Sequence, residues 1–349
     1  MSRALSRVLP HRTLAVAVTA LAAVLPLGPA AHATDRHGTP SVRPAAHHPL
    51  QPRISAAYEL PGGRVYPEGI AADPRTGTLY AGSYADGTVY RMTPGHRVAE
   101  VLLPAGTDGR TTANGLKVDG AGRLWVTDST AGVSVYDPRT RRLLARFDVP
   151  GQDARFVNDL AIAPDGSAYL TDSVRAVVYR VTPGQIARAR AHGGHAVLTP
   201  RFDLNDAMEP HDPGTYTLNG IVADPTGRYL LTVDMTGGDL YRLDLSSGRI
   251  RKVALHGGDL RLADGLELRH GTLWAAHNTS NAISRWRVAA DGLAARQERR
   301  FTDETLQVPT TLIRRNGTLY VVRSQFDKGG PLGDGTPQTP FTVAAVTGI

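Results

Sequence analysis

From residue 66 onward the chain repeats itself six times, and the period of that repeat restricts the fold more than any other feature. The copies are PEGIAADPRTGTLYAGS, ANGLKVDGAGRLWVTDS, VNDLAIAPDGSAYLTDS, LNGIVADPTGRYLLTVD, ADGLELRHGTLWAAH and PTTLIRRNGTLYVVRS. Each has a polar residue in second place, alternates apolar positions, turns through Asp, Asn, Pro or Gly, and then enters an apolar-aromatic run. Those turn residues are the ones that accept tight hairpin geometry. A third run follows in most copies (GTVYRMTPG, GVSVYDPRT, AVVYRVTPG, GDLYRLDLSSG, NAISRWRVAADG), and a fourth after some (LLARFDVP, IRKVALHG). Four short antiparallel strands per unit make a propeller blade.

The polar residues that key the alignment are Glu68, Asn114, Asn158, Asn219, Asp264 and Thr310, spaced 46, 44, 61, 45 and 46 residues apart. The expectation is an all-β, six-bladed β-propeller over residues 53–349 with almost no helix. Seven blades would need a seventh copy, and the sequence offers none. Ile54–Leu60 and Phe341–Val346 are expected to close the ring by sharing the final blade. The long gap holds an insertion from Gln185 to Thr215, with a helix-like stretch at Gln185–Ala191. Long connections in compact domains are often functional, so it is a candidate lid or mouth-lining loop.

The first residues stand outside this repeat. Arg3, Arg7 and Arg12 precede an apolar run from Leu14 to Leu27, and Ala31-His32-Ala33 is an A-x-A cleavage site. Residues 1–33 therefore read as a secretory signal peptide, cut before Thr34, which makes the mature protein secreted. The run is short for a bilayer span and Pro26 interrupts it, so no membrane association is expected after cleavage. Residues 34–52 are rich in Pro, His and Arg and poor in large apolar side chains, the composition of a disordered linker.

The full chain carries a formal charge of +7. Loss of the leader removes three arginines and no acid, leaving about +4. The remaining arginines are scattered, which does not suit a nucleic-acid partner. With no cysteine, disulfides and thiolate metal sites are excluded. No nucleophile elbow, P-loop or dinucleotide fingerprint is present. Nothing calls for self-association, and a monomer is expected.

In a propeller, equivalent positions of successive blades face one central channel. The repeat therefore gathers Glu68, Asn114, Asn158, Asn219, Asp264 and Thr310 into a ring at its mouth, with Asp159 beside Asn158. Two carboxylates and three amides all offer oxygen. Hard oxygen ligands with about two negative charges suit one divalent cation, Ca²⁺ first, with Mg²⁺ or Mn²⁺ possible. The competing reading makes Asn114-Gly115, Asn219-Gly220 and Asp264-Gly265 ordinary hairpin turns. Two things oppose it: each copy already has its turn about five residues later, and Glu68-Gly69 and Asn158-Asp159 hold the same register without being good turn pairs. His277, His195 and His211 are candidate bases, since imidazole titrates near neutrality. Trp125, Trp274 and Trp286 fall on strands and read as core.

Residues 53–349 resemble the SMP-30/gluconolactonase/LRE family, with paraoxonases and diisopropylfluorophosphatase as more distant relatives. The resemblance implies a calcium ion at the channel mouth. It is held by Glu from blade one, Asn from blades three and four, and Asp from blade five; the matching residues are Glu68, Asn158, Asn219 and Asp264. Gluconolactonase-type members carry an Arg two residues before the blade-three Asn. Phe156 stands there, with Arg155 one place earlier, and this departs from sugar-lactone recognition. Gly69 replaces the acid that in paraoxonases helps hold a second calcium, so no second ion of that kind is expected.

The expected function is a calcium-dependent hydrolase of a small lactone or ester. In it the metal polarises the carbonyl, Asp264 activates water, and Asn114, Asn158 and Arg155 contact substrate. Two alternatives stand beside it. One is a phosphoesterase or secondary-metabolism enzyme using the same metal. The other is a non-catalytic propeller that binds glycan or protein, since a fold does not fix a function.

Overall fold

A computed structural model of the chain describes residues 51–349. The signal-peptide reading, and all of the linker except Gln51 and Pro52, lie outside the described residues. From Arg53 onward the chain forms six sheets, each with four antiparallel strands. The innermost strands are Pro67–Ala72, Leu116–Val118, Val157–Ile162, Leu218–Ala223, Ala263–Arg269 and Pro309–Arg315, for blades one to six. Each packs against the next, and the sixth packs against the first, so the sheets form a closed ring. This is the six-bladed β-propeller expected from the repeat.

Ring closure follows the expected route. Blade six takes Pro309–Arg315, Thr318–Arg323 and Phe341–Thr347 from the end of the chain and Arg53–Leu60 from its beginning. The last two run antiparallel, with Arg53 opposite Thr347 and Leu60 opposite Phe341. Every blade thus has its four strands, and the inner strand of each sheet is a short edge packed against the inner strands of its neighbours.

The core is divided among the blade interfaces. Six apolar clusters lie in six seams, one between each pair of neighbouring blades. This follows from the alternation within strands, which gives every sheet two faces to cover. Trp125 and Trp286 are wholly buried, and Trp274 nearly so.

Two blades gain a fifth strand that the repeat did not announce. His195–Val197 lies parallel to Arg142–Asp148 on the outside of blade two, and Ala254–His256 lies parallel to Ala294–Thr302 on the outside of blade five. Connections that must pass along the rim cover an outer edge as they go.

The insertion from Gln185 to Thr215 does not simply join blades three and four: it contains the fourth strand of blade three, Thr199–Asp203, and splits by position. Its first part is a helix, Pro183–Ala191, opened by a capping box between Thr182 and Gln185 and by a proline in its first turn. Ile186 and Ala189 of this helix bury into the seam with Phe147 and Tyr179. This part is therefore rim structure, not a lid. Tyr216, just past the end of the insertion, is what reaches the mouth.

Candidate functional site

In every repeat but the second, the polar residue lies within the inner strand, at a β-bulge; in blade two Asn114 stands ahead of Leu116–Val118, as the sequence suggested. In blade one the register slips between Pro67 and Ile70, and the same slip recurs between Val157 and Leu160, Leu218 and Ile221, Ala263 and Leu266, and Pro309 and Leu312. Two residues then oppose one, which re-aims a side chain. Here it turns Glu68, Asn158, Asn219 and Asp264 into the channel mouth. Asn114 joins them, its N–H donating to Thr127 O at 3.1 Å while Thr127 N–H donates to Gly115 O at 3.0 Å.

The bulge also explains the glycine that follows. A Cβ on Gly69 would overlap the carbonyl oxygen of Asn114, and one on Gly220 would overlap that of Asp264. Neighbouring inner strands approach too closely there for any side chain on these residues. Neither glycine has a positive φ, so these dipeptides are not hairpin turns.

Glu68, Asn114, Asn158, Asn219 and Asp264 line one cavity of about 190 Å³. A second row of residues, at the end of each blade's second strand, holds this ring. Asn114 Nδ2 donates to Ser129 Oγ at 3.0 Å, Asn158 Nδ2 to Ser173 Oγ at 3.1 Å, and Asn219 Nδ2 to Met235 Sδ at 3.2 Å. In blade five the direction reverses, with Asn278 Nδ2 donating to Asp264 Oδ2 at 3.0 Å. Anchoring the amide nitrogens outward leaves the carbonyl oxygens of Asn158 and Asn219 for the axis, whereas that of Asn114 accepts from Ser129 Oγ at 3.3 Å. Asn158 Oδ1 and Asp264 Oδ1 are both buried without a hydrogen-bond partner. Such atoms are costly unless something else meets them.

The electrostatics agree. Burial pushes Asp264 up to about 7; the hydrogen bond from Asn278 opposes the shift, as does the neighbouring Asn219 amide, while Asp159 adds to it. Burial also drives Glu68 well above the carboxylate range, reinforced by Asp264 and Asp159 and opposed by Lys117. Two acids that resist ionisation together call for a positive charge between them. Among the described residues no group of three or more His, Cys, Asp or Glu is disposed around a metal position. The ring is instead an amide-rich oxygen set, with two carboxylates and neutral Asn oxygens, of the kind Ca²⁺ accepts.

The remaining candidates lie elsewhere. Thr310 donates its hydroxyl to Glu68 O at 2.7 Å and so braces the ring where blade six meets blade one. Arg155 does not line the cavity: its guanidinium is tied to Thr130 O at 2.8 Å, in a turn of blade two, and to Gly151 O at 2.9 Å, in its own loop. Phe156 takes its place at the mouth. His277 is wholly buried, held by Arg261 O at 2.8 Å and Ser284 Oγ at 2.7 Å, and burial pushes its pKa down to about 4. His211 bonds Asp234 at 2.7 Å, and His195 is exposed on the rim strand. None of the three histidines lines the cavity.

Residues beyond the keyed positions complete the wall. Tyr84, Phe156, Tyr216 and Phe326 stand around it with Met235 and Leu332. Asn278 and Met235 had a signal in the repeat, since both follow the second strand, where Ser129 and Ser173 stand in blades two and three. The aromatic wall comes from unlike loops and had none.

No curated protein matches the chain. Among solved structures, a gluconolactonase from Xanthomonas campestris superposes with a TM-score of 0.56 at 18% identity, covering 85% of this chain and 89% of the other. Virginiamycin B lyase from Staphylococcus aureus gives 0.52 at 11% identity, covering 85% and 99%. The major Malassezia sympodialis allergen Mala s 1 gives 0.58 at 15% identity, covering 85% and 96%. At such identities these likenesses speak for the fold alone. The family description is more direct, because the SMP-30/gluconolactonase/LRE-like region matches residues 66–296, more than half of the chain. With its repeats, its closed ring and that match, the chain belongs to the SMP-30/gluconolactonase/LRE-like family.

Proposed function

We propose that this protein is an exported, monomeric hydrolase of lactones or related small esters that works with one divalent cation, Ca²⁺ by preference. The observation that carries the reading is the pair of buried oxygens without partners, Asn158 Oδ1 and Asp264 Oδ1, in a ring that also holds the Glu68 carboxylate. The donor set fits a hard cation, which Glu68, Asn158, Asn219 and Asp264 would hold. The cation would supply polarisation of a carbonyl oxygen, and the positive charge that keeps both carboxylates ionised.

The side chains of this protein then divide the work. Asn278 fixes Asp264 through Oδ2, so that Oδ1 stays turned toward the cavity. In the ionised form Asp264 takes a proton from water as the water oxygen bonds to the carbonyl carbon. The acyl C–O bond breaks, the departing oxygen receives a proton, and a lactone leaves as a hydroxy acid. Asn114 and Asn158 orient the carbonyl end of the substrate from two blades. The loops above limit access of bulk water.

The family points to the same reaction class, and one structural neighbour is a gluconolactonase. Export rests on the reading of residues 1–33; among the described residues no helix is long and apolar enough to cross a membrane. The test is a lactone and ester panel with and without chelator, on wild type and Asp264→Asn. Turnover that stops in both the chelated and the substituted protein is the expected result. Undiminished turnover in either one ends this reading.

A further inference from the structure

Above the oxygen ring the cavity wall changes character. Four aromatic rings from four separate segments meet there: Tyr84 of blade one, Phe156 and Tyr216 from the two loops flanking blade three, and Phe326 of blade six. They touch one another around the opening. Phe156 meets Tyr216 edge-on, with centroids 4.9 Å apart and planes at 89°. Tyr84 lies 5.3 Å from Phe326 and 6.5 Å from Phe156. Met235, Pro331 and Leu332 fill the gaps between them.

This wall is poor in hydrogen-bonding groups, with only the tyrosine hydroxyls to offer. Arg155, beside Phe156 in sequence, is turned away and bound to main-chain carbonyls. Tyr216 and Leu332 are also 49% and 51% exposed, among the few large apolar side chains of the described residues left open to water. Apolar surface held open at a cleft is surface that a ligand can cover. A substrate bearing many hydroxyls would lose water there and find few partners, which is unfavourable.

We infer that the substrate is amphipathic. Its carbonyl end sits on the oxygen ring and a compact aromatic or alkyl body sits among the four rings, so the enzyme takes an apolar lactone or ester in preference to a polyhydroxylated sugar lactone. The inference rests on the hydrolase reading for its chemistry and on the aromatic wall for its selectivity.

The experiment compares dihydrocoumarin with glucono-δ-lactone on the Ca²⁺-loaded full protein, wild type, Phe156→Ala and Tyr216→Ala. The expected kcat/KM ratio favours dihydrocoumarin by about 100-fold in wild type. Each substitution lowers dihydrocoumarin turnover about ten-fold, mainly through KM, and leaves the sugar lactone unchanged. Equal or better turnover of glucono-δ-lactone by wild type, or equal losses on both substrates, overturns the inference. If neither lactone is hydrolysed, the hydrolase reading fails and calorimetric binding of the same two compounds decides. Binding of dihydrocoumarin that weakens about ten-fold in Phe156→Ala sustains the apolar site; no binding, or equal binding of both, removes it. The thermal midpoint of each variant is the folding control. Tyr216→Ala, at a half-exposed position, stands in if Phe156→Ala does not fold.

Discussion

Two layers of one channel treat buried acid in opposite ways. Asp159 lies one residue further along the inner strand than Asn158. It is fully equipped: Leu160 N–H donates to Oδ1 at 2.8 Å, Ile221 N–H to Oδ2 at 3.4 Å, and Lys117 Nζ stands 3.7 Å away. Asp264, in the layer above, has one oxygen fixed by Asn278 and the other with no partner. Both carboxylates are buried. The fold can therefore satisfy an acid at this depth and does so where the role is structural. The incompleteness of the upper layer is local, and it is where a ligand belongs.

The comparison breaks most directly at its two aspartates. Asp264→Asn is expected to lower kcat about 10³-fold on the best lactone while the thermal midpoint holds or rises, because a repelling buried charge is gone. Asp159→Asn is expected to do the reverse, leaving kcat within about ten-fold and costing about 2 kcal/mol in denaturant unfolding as Lys117 loses its anion. Equal kinetic damage from the two would erase the distinction between layers.

His277 extends the contrast away from the channel, as a titratable group trapped neutral by burial. Above pH 6.5 both folded and unfolded states leave the ring uncharged. Below it the unfolded chain takes up a proton that the folded protein refuses until about pH 4, so stability falls across that window. The fall belonging to this residue is about 3 kcal/mol. Unfolding curves of wild type and His277→Gln between pH 7 and 4 should converge as pH drops; parallel curves would contradict the assignment.

The upper layer itself can be divided by calcium titration. At about 100 times its Kd the ion should stabilise wild type by about 2.7 kcal/mol, read as a rise in thermal midpoint. Glu68→Gln and Asn158→Ala should lose that rise. Asn114→Ala should keep it and cost about 1 kcal/mol or less, because the Asn114 amide already closes on Ser129 through both of its polar atoms. Loss of the calcium response in Asn114→Ala would make all five ring members equivalent.

The architecture was legible because every blade has to solve one problem with the same residues. A closed ring needs its inner strands in register, and that requirement leaves a period in the sequence. The keyed residues could be found for the same reason, although the bulge that turns them inward could not. A bulge is a pairing relation between two strands, and the glycine after it answers to the neighbouring blade. Arg155 shows the limit of reading by proximity: one residue from Phe156 in sequence, it is drawn off by the carbonyls of Thr130 and Gly151. The aromatic wall was invisible because its members share no register, only a destination. The parallel rim strands were hidden likewise, since His195–Val197 and Ala254–His256 are too short to look like strands on their own.

The sixth blade also sets a timetable. The strand from Arg53 to Leu60 leaves the ribosome long before its partner, Phe341–Thr347. Contacts so distant along the chain are slow to form. Until they do, Glu68 has no fixed seat, for the Thr310 hydroxyl that braces it arrives with the same late blade. The polypeptide is thus a buckle, and competence at the mouth should appear only when the seven-residue strand Phe341–Thr347 has been threaded home.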